Sequence, residues 1–258
     1  MGEFTTFQEF EKEIRRIISE AENRKIPLRI MGGAAIRMHC PDHSNLYDQL
    51  KRAPKHDMDF VTYSKYRPVT KKLFTYLGYE PYISMMLTGA TGMHRQIFND
   101  KEGHKAIDVF LDKLQMSHVI DFGGRLEVDS PTVPLAELLL QKLQIVQTNE
   151  KDIQDAIILL SEHEIGSGDR EQVNGEYIAE ILGNEWGFYY TVSENLAKLK
   201  GFLGKYNLNK KDNEAVSLRI DRLQDMADRK PKTLRWKLRA KVGTSTKWYN
   251  DVEEVQRH

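Results

Sequence analysis

Two carboxylates alternate along a short apolar run, His56-Asp57-Met58-Asp59-Phe60-Val61, and this pattern constrains the chain more than any other. The run reads as a strand. Alternate strand residues share a face, so Asp57 and Asp59 converge on one side of a sheet. Neighbouring carboxylates are costly unless a positive charge sits between them. A hard divalent cation such as Mg²⁺ meets that need, and it usually comes with substrate phosphates. Upstream, Ile30-Met31-Gly32-Gly33-Ala34-Ala35 carries a strand into a helix through two glycines. Such a turn lets backbone N–H groups approach a phosphate closely.

A third acid extends the pattern. Lys105-Ala106-Ile107-Asp108-Val109-Phe110-Leu111 is an apolar strand with a carboxylate at its centre. It forms a hairpin with His94-Arg95-Gln96-Ile97-Phe98 around the turn residues 99–103. A mid-strand acid lacks a structural reason unless it is paired or metal-bound. If this strand lies beside the first, Asp57, Asp59 and Asp108 can hold two metal ions. Such a pair activates an attacking oxygen and stabilises a leaving pyrophosphate. Phosphate cradle and metal acids together point to nucleotidyl transfer.

The glycine pair, the apolar-flanked Asp-x-Asp and the lone Asp on a later strand resemble the DNA polymerase β-like nucleotidyltransferase superfamily over roughly the first half of the chain. The resemblance implies an enzyme that uses a nucleoside triphosphate (NTP) and releases pyrophosphate. It implies that Gly32 and Gly33 contact the triphosphate and that Asp57, Asp59 and Asp108 bind two Mg²⁺ ions. The polar stretch 42–55 between glycines and acids looks like an inserted loop.

Two later segments narrow the likeness. Pro134-Leu135-Ala136-Glu137-Leu138-Leu139-Leu140-Gln141-Lys142-Leu143-Gln144 is helical by period, and Glu150-Lys151-Asp152-Ile153-Gln154-Asp155-Ala156-Ile157 opens a second helix. This pair is similar to the AbiEii-type group, which includes toxins of toxin–antitoxin systems. The resemblance implies that Lys142 contacts the triphosphate, that Asp152 or Asp155 is needed for activity, and that a protein antitoxin is a partner. Lys151 stands where the group usually has Arg, losing a two-pronged contact. Plainer readings stand beside these. Lys142 could be solvated at the edge of a core stripe, and Asp152 could favour the helix dipole. Arg37, just after the glycine turn, and Arg95 are candidates for the nucleotide phosphates. For Arg95 a surface cross-strand ion pair is the alternative.

Elements follow from periodicity. Thr6-Phe7-Gln8-Glu9 fits a capping box before a helix that runs to about Lys25. Further helices are expected at 34–39 and 69–77, with an extended segment at 79–87 and a flexible turn at 88–92. A short strand is expected near Val119. Beyond Pro131 helical periods dominate, at 134–147, 150–162, 173–182, 188–203, 211–228 and 232–241, with a break at Gly166-Ser167-Gly168-Asp169. The expected fold class is α+β: a nucleotidyltransferase-type mixed sheet flanked by helices over 1–130, then a helical domain over 131–258 with a basic C-terminal region.

The 258 residues carry no net charge, which argues against indiscriminate binding to polyanions. The average hides an asymmetry: residues 198–247 hold 15 Lys and Arg against 5 Asp and Glu. Trp236, Trp248 and Tyr249 lie among those cations, a pattern suited to an RNA acceptor. A small molecule such as an aminoglycoside, or a protein hydroxyl, is the other class of acceptor. A non-catalytic nucleotide-binding sensor or interaction protein is the competing class of function. A single cysteine, Cys40, rules out an intramolecular disulfide framework. No signal-peptide core and no membrane-length apolar run is evident, so a cytoplasmic protein is expected. No Walker A or G-x-G-x-x-G pattern occurs, which disfavours P-loop and dinucleotide enzymes.

Overall fold

A computed structural model describes residues 6–43, 46–47, 50, 58–82, 94–102, 105–206 and 208–252. Asp57, most of the 42–55 loop, most of the extended segment expected at 79–87 and the turn at 88–92 lie outside the described residues.

The first helix, α1 (Phe7–Asn23), starts where expected. The Thr6 hydroxyl accepts the Glu9 N–H at 3.2 Å and satisfies one of the donors a helix start leaves open. Phe10, Ile14, Ile17, Ile18 and Ala21 form its buried stripe. There follow β1 (Arg29–Ile30), α2 (Gly32–His39), β2 (Met58–Thr62), α3 (Arg67–Tyr76), β3 (Tyr79–Pro81), β4 (Arg95–Asp100) and β5 (Ala106–Leu111). The five strands make one mixed sheet in the order β1-β2-β5-β4-β3. Only β2 and β5 run parallel, and their register sets Asp59 opposite Asp108. A ribbon of β6 (Lys113–Gln115) and β7 (Val119–Asp121) leads away from the sheet.

The open edge of β1 is covered by the chain entering the helical region. The Ile30 N–H donates to the Pro131 carbonyl, and the Val133 N–H donates to the Ile30 carbonyl, both at 3.0 Å. This clasp delivers α4 (Leu135–Leu143) to the glycine turn. Every residue of α4 except Lys142 is buried, as expected of a helix that is apolar nearly all round. It packs against α2, α5 (Glu150–Glu162), α6 (Gly175–Asn184), α7 (Trp186–Leu203) and the short strand β9 (Gln172–Asn174). Leu138, Leu139, Leu140 and Leu143 are fully buried, each contributing roughly 1.5–3 kcal/mol. Two more helices follow, α8 (Lys210–Arg229) and α9 (Leu234–Val242). Buried apolar residues form one cluster from Phe10 to Ala227.

The α+β class is as the sequence indicates, and local details differ: the helix expected over 134–147 ends at Leu143. The break expected at 166–169 is the loop of a parallel strand pair, β8 (Glu164–Gly166) with β9. The helix expected from 173 starts at Gly175 because the Asn174 side chain caps it, accepting the Tyr177 N–H at 3.0 Å. No described helix is long and apolar enough to cross a membrane.

Candidate active site

Asp59 and Asp108 are Cα partners on adjacent parallel strands, so their side chains leave the same face of the sheet. Asp57, two residues before Asp59, lies outside the described residues. Among the described residues no group of three or more His, Cys, Asp or Glu is arranged to hold a metal.

The glycine turn meets these acids directly. The Met31 N–H donates to the Asp59 carbonyl at 2.8 Å, tying the end of β1 to β2. Gly32 has φ +69°, a left-handed conformation that favours glycine. A Cβ built on Gly32 would lie 3.0 Å from the Asp59 carboxylate oxygen Oδ2. The turn therefore sits against the acid through space only glycine leaves open. Met31 gives α2 no side-chain cap, so the first-turn donors of Gly33 and Ala34 are left for another acceptor. The Gly32 N–H itself donates to Gln141 Oε1 on α4 at 3.0 Å.

Arg95 lies on the same sheet face and grips Asp108. Its Nη2 donates to Asp108 Oδ2 at 2.6 Å and its Nε to Oδ1 at 3.2 Å. The guanidinium also lies 5.1 Å from the centre of the Phe110 ring. With Arg95 at 16% and Asp108 at 3% exposure, the acid is buried and the guanidinium half-buried. The alternative of a cross-strand ion pair is met, with its acid buried and its guanidinium half-buried.

Lys142 leaves α4 toward α5. Its Nζ lies 2.9 Å from Asp155 Oδ2 and 3.1 Å from Asp152 Oδ1. Burial opposes the ammonium charge, but Asp155 and then Asp152 outweigh it and hold the Lys142 pKa above its ordinary value. The three residues singled out on these helices thus come together, with Lys142 as a fixed cation. Asp155 is fully buried. Arg37 takes a different place. Its guanidinium lies between the rings of Phe7 and Tyr47, 4.2 and 4.6 Å from their centres.

The sequence reading did not single out Gln141, Arg125 or Glu137. Glu137 and Gln141 stand four apart on a buried apolar helix, and that spacing was the available signal. Arg125 forks between Glu137 and Asp169, with Nη2 2.6 Å from Asp169 Oδ1, and stacks 4.0 Å over Tyr177. This network anchors α4 through Glu137, one turn before Gln141 on the same face.

Part of the basic C-terminal region is neutralised within the fold. Lys200 pairs with Asp221, Arg229 with Asp225, Lys230 with Glu180, Arg235 with Glu185 and Lys247 with Asp251. Arg219 is buried and donates to the carbonyls of Leu160 and Ser161. Arg239 donates to the Gly243 and Thr246 carbonyls and lies 4.8 Å from the Trp186 ring centre. Lys237 and Lys241 on α9 carry no ion pair among the described residues and are exposed.

No protein-family model matches the sequence, and no curated protein does. Among solved structures, the chain is similar to the antibiotic-resistance factor ANT(2'')-Ia, at 13% identity and a TM-score of 0.37 over 57% of this chain and 80% of that one. It is also similar to an antigenic nucleotidyltransferase-like protein from Paracoccidioides brasiliensis, at 14% identity and a TM-score of 0.37 over 88% of this chain and 95% of that one. Likenesses this loose assign no function.

Proposed function

We propose that the protein is an Mg²⁺-dependent nucleotidyltransferase that moves a nucleoside monophosphate from an NTP to an acceptor hydroxyl. The observation that carries this reading is the register of Asp59 against Asp108, with the Gly32 turn in contact with Asp59. The donors suit a hard cation: both acids carry carboxylate oxygens, each able to accept more than one contact. Asp59 and Asp108, with Asp57, would hold the metal. When bound, Mg²⁺ offsets charge on the transferring phosphate and makes the acceptor oxygen a better nucleophile.

The chain's own groups divide the remaining work. The first-turn donors at Gly33 and Ala34 face the anionic end of the NTP, where the helix dipole favours it. Arg95 holds the Asp108 carboxylate in one orientation. Lys142 supplies fixed positive charge, positioned by Asp155 and Asp152. That trio supports the AbiEii-type assignment, and with it a toxin role and a protein antitoxin. For an RNA acceptor the contributing surface is α9, where Lys237 and Lys241 are available. A second reading, a non-catalytic nucleotide-binding protein, is favoured by the two-pronged grip of Arg95 on Asp108.

The test is to incubate the protein with labelled NTPs, Mg²⁺ and, separately, total RNA, cell protein and aminoglycosides. Label on one acceptor with matching pyrophosphate release supports transfer. Nucleotide binding without either product favours the second reading.

A further inference from the structure

The buried side of the glycine turn holds a donor with no acceptor. Gln141 is 6% exposed. Its Oε1 accepts the Gly32 N–H, while its Nε2 meets no hydrogen-bond partner among the described residues. A buried amide donor left unmade costs ~1–3 kcal/mol. Reversing the carboxamide does not help, because Nε2 would then face the Gly32 N–H, donor against donor. With the oxygen committed to Gly32, the planar group sets its NH₂ beside the first turn of α2. The uncapped Gly33 and Ala34 donors belong to that same turn. Donors from two separate elements thus meet at Gly32, the kind of set an oxyanion binds. Asp59 borders it through the Gly32 contact and would repel a bare anion. The ligand that fits both neighbours is a polyphosphate carrying its own divalent cation.

We infer that Gln141 is a phosphate-binding residue: Nε2 donates to a non-bridging oxygen of a metal-complexed polyphosphate seated on the first turn of α2. Through Oε1 the same side chain holds that turn in its left-handed start. This inference rests on the nucleotidyltransferase reading and adds to it a residue on α4, which ties the helical region to the phosphates.

Two substitutions test it. Gln141→Glu keeps an acceptor for the Gly32 N–H but replaces the donor with a charged oxygen. Gln141→Met keeps the length and removes both hydrogen bonds without adding charge. The measurement is calorimetric titration with Mg²⁺-imidodiphosphate and with a non-hydrolysable Mg²⁺-NTP, alongside thermal unfolding of each protein. The expected result is binding by the wild type and roughly 10- to 100-fold weaker binding of both ligands by each folded variant, the fold-change for losing a hydrogen bond to a charged group. Either folded variant binding both ligands within about twofold of the wild type overturns the role of Gln141 and leaves the nucleotidyltransferase reading standing. A wild type that binds neither ligand overturns both.

Discussion

At the scale of single residues, the site depends on what Gly32 omits. Its φ of +69° and the 3.0 Å approach to Asp59 Oδ2 both exclude a side chain. Gly32→Ala should cost about 1–3 kcal/mol in backbone strain and push the Asp59 carboxylate aside. Urea unfolding checks the first effect, and titration with Mg²⁺-NTP should show weakened binding. A variant with unchanged stability would mean that the turn relaxes freely. The placing of Gly32 beside Asp59 and Asp108 was legible because strand alternation and glycine turns are local rules that read straight off the chain. Gln141 was not, because its role depends on a partner more than one hundred positions away in sequence. The aromatic cradle of Arg37 was hidden for the same reason: its ring partners belong to α1 and to Tyr47, not to the helix of Arg37 itself.

At the scale of elements, α4 is the member that joins sheet and helices, and its anchor is a buried ion pair. Burial pushes the Glu137 carboxyl up, against the pull of Arg125. Arg125→Ala should therefore destabilise the fold by about 3–5 kcal/mol, because it strands a buried charge. A raised carboxyl pKa favours the fold below its unfolded value and loses that contribution as pH rises. The deficit of Arg125→Ala should thus be larger at pH 8 than at pH 5, and Glu137→Gln in the same background should recover part of it. Chemical denaturation at the two pH values checks both statements.

A second element-scale effect comes from His118, buried between β6 and β7. Its ring Nε2 lies 2.8 Å from Thr191 Oγ1, and the ring stacks on Phe188 with centres 4.7 Å apart. Burial pushes the His118 pKa down to about 4. A depressed pKa means that stability is present above the unfolded value near 6.5 and is lost as pH falls toward 4. The shift is worth about 2–3 kcal/mol between pH 7 and pH 4.5. His118→Gln should lose correspondingly less on acidification, measured by urea unfolding at those two pH values. Helix starts were legible where a capping side chain marks them, as at Thr6. The β8–β9 pair was not: three-residue strands paired across a Gly-Ser-Gly loop carry no periodic signal.

At the scale of the whole molecule, charge counted along the sequence overstates charge offered to a partner. Part of the excess over residues 198–247 is met by acids outside that stretch, as with Lys230 and Glu180 or Arg235 and Glu185. If RNA binds through Lys237 and Lys241, the log–log salt dependence should be shallow, near −1.4 for two contacts on a single strand. Charge reversal at both lysines should flatten it further, and a salt series of binding measurements decides this. The mixed sheet and the helical second half were legible from periodicity, whereas the pairing of surface charges depends on which helices become neighbours. The central claim is that Asp59 and Asp108 form the metal-holding pair of a nucleotidyltransferase. Pyrophosphate release from mixed NTPs in Mg²⁺, compared among wild type, Asp59→Asn and Asp108→Asn, tests it most directly. The expected result is release by the wild type and a fall of at least about 10²-fold in each folded variant, on the scale of losing one preorganised charge-stabilising group. Near wild-type release by a folded Asp59→Asn or Asp108→Asn protein would contradict it.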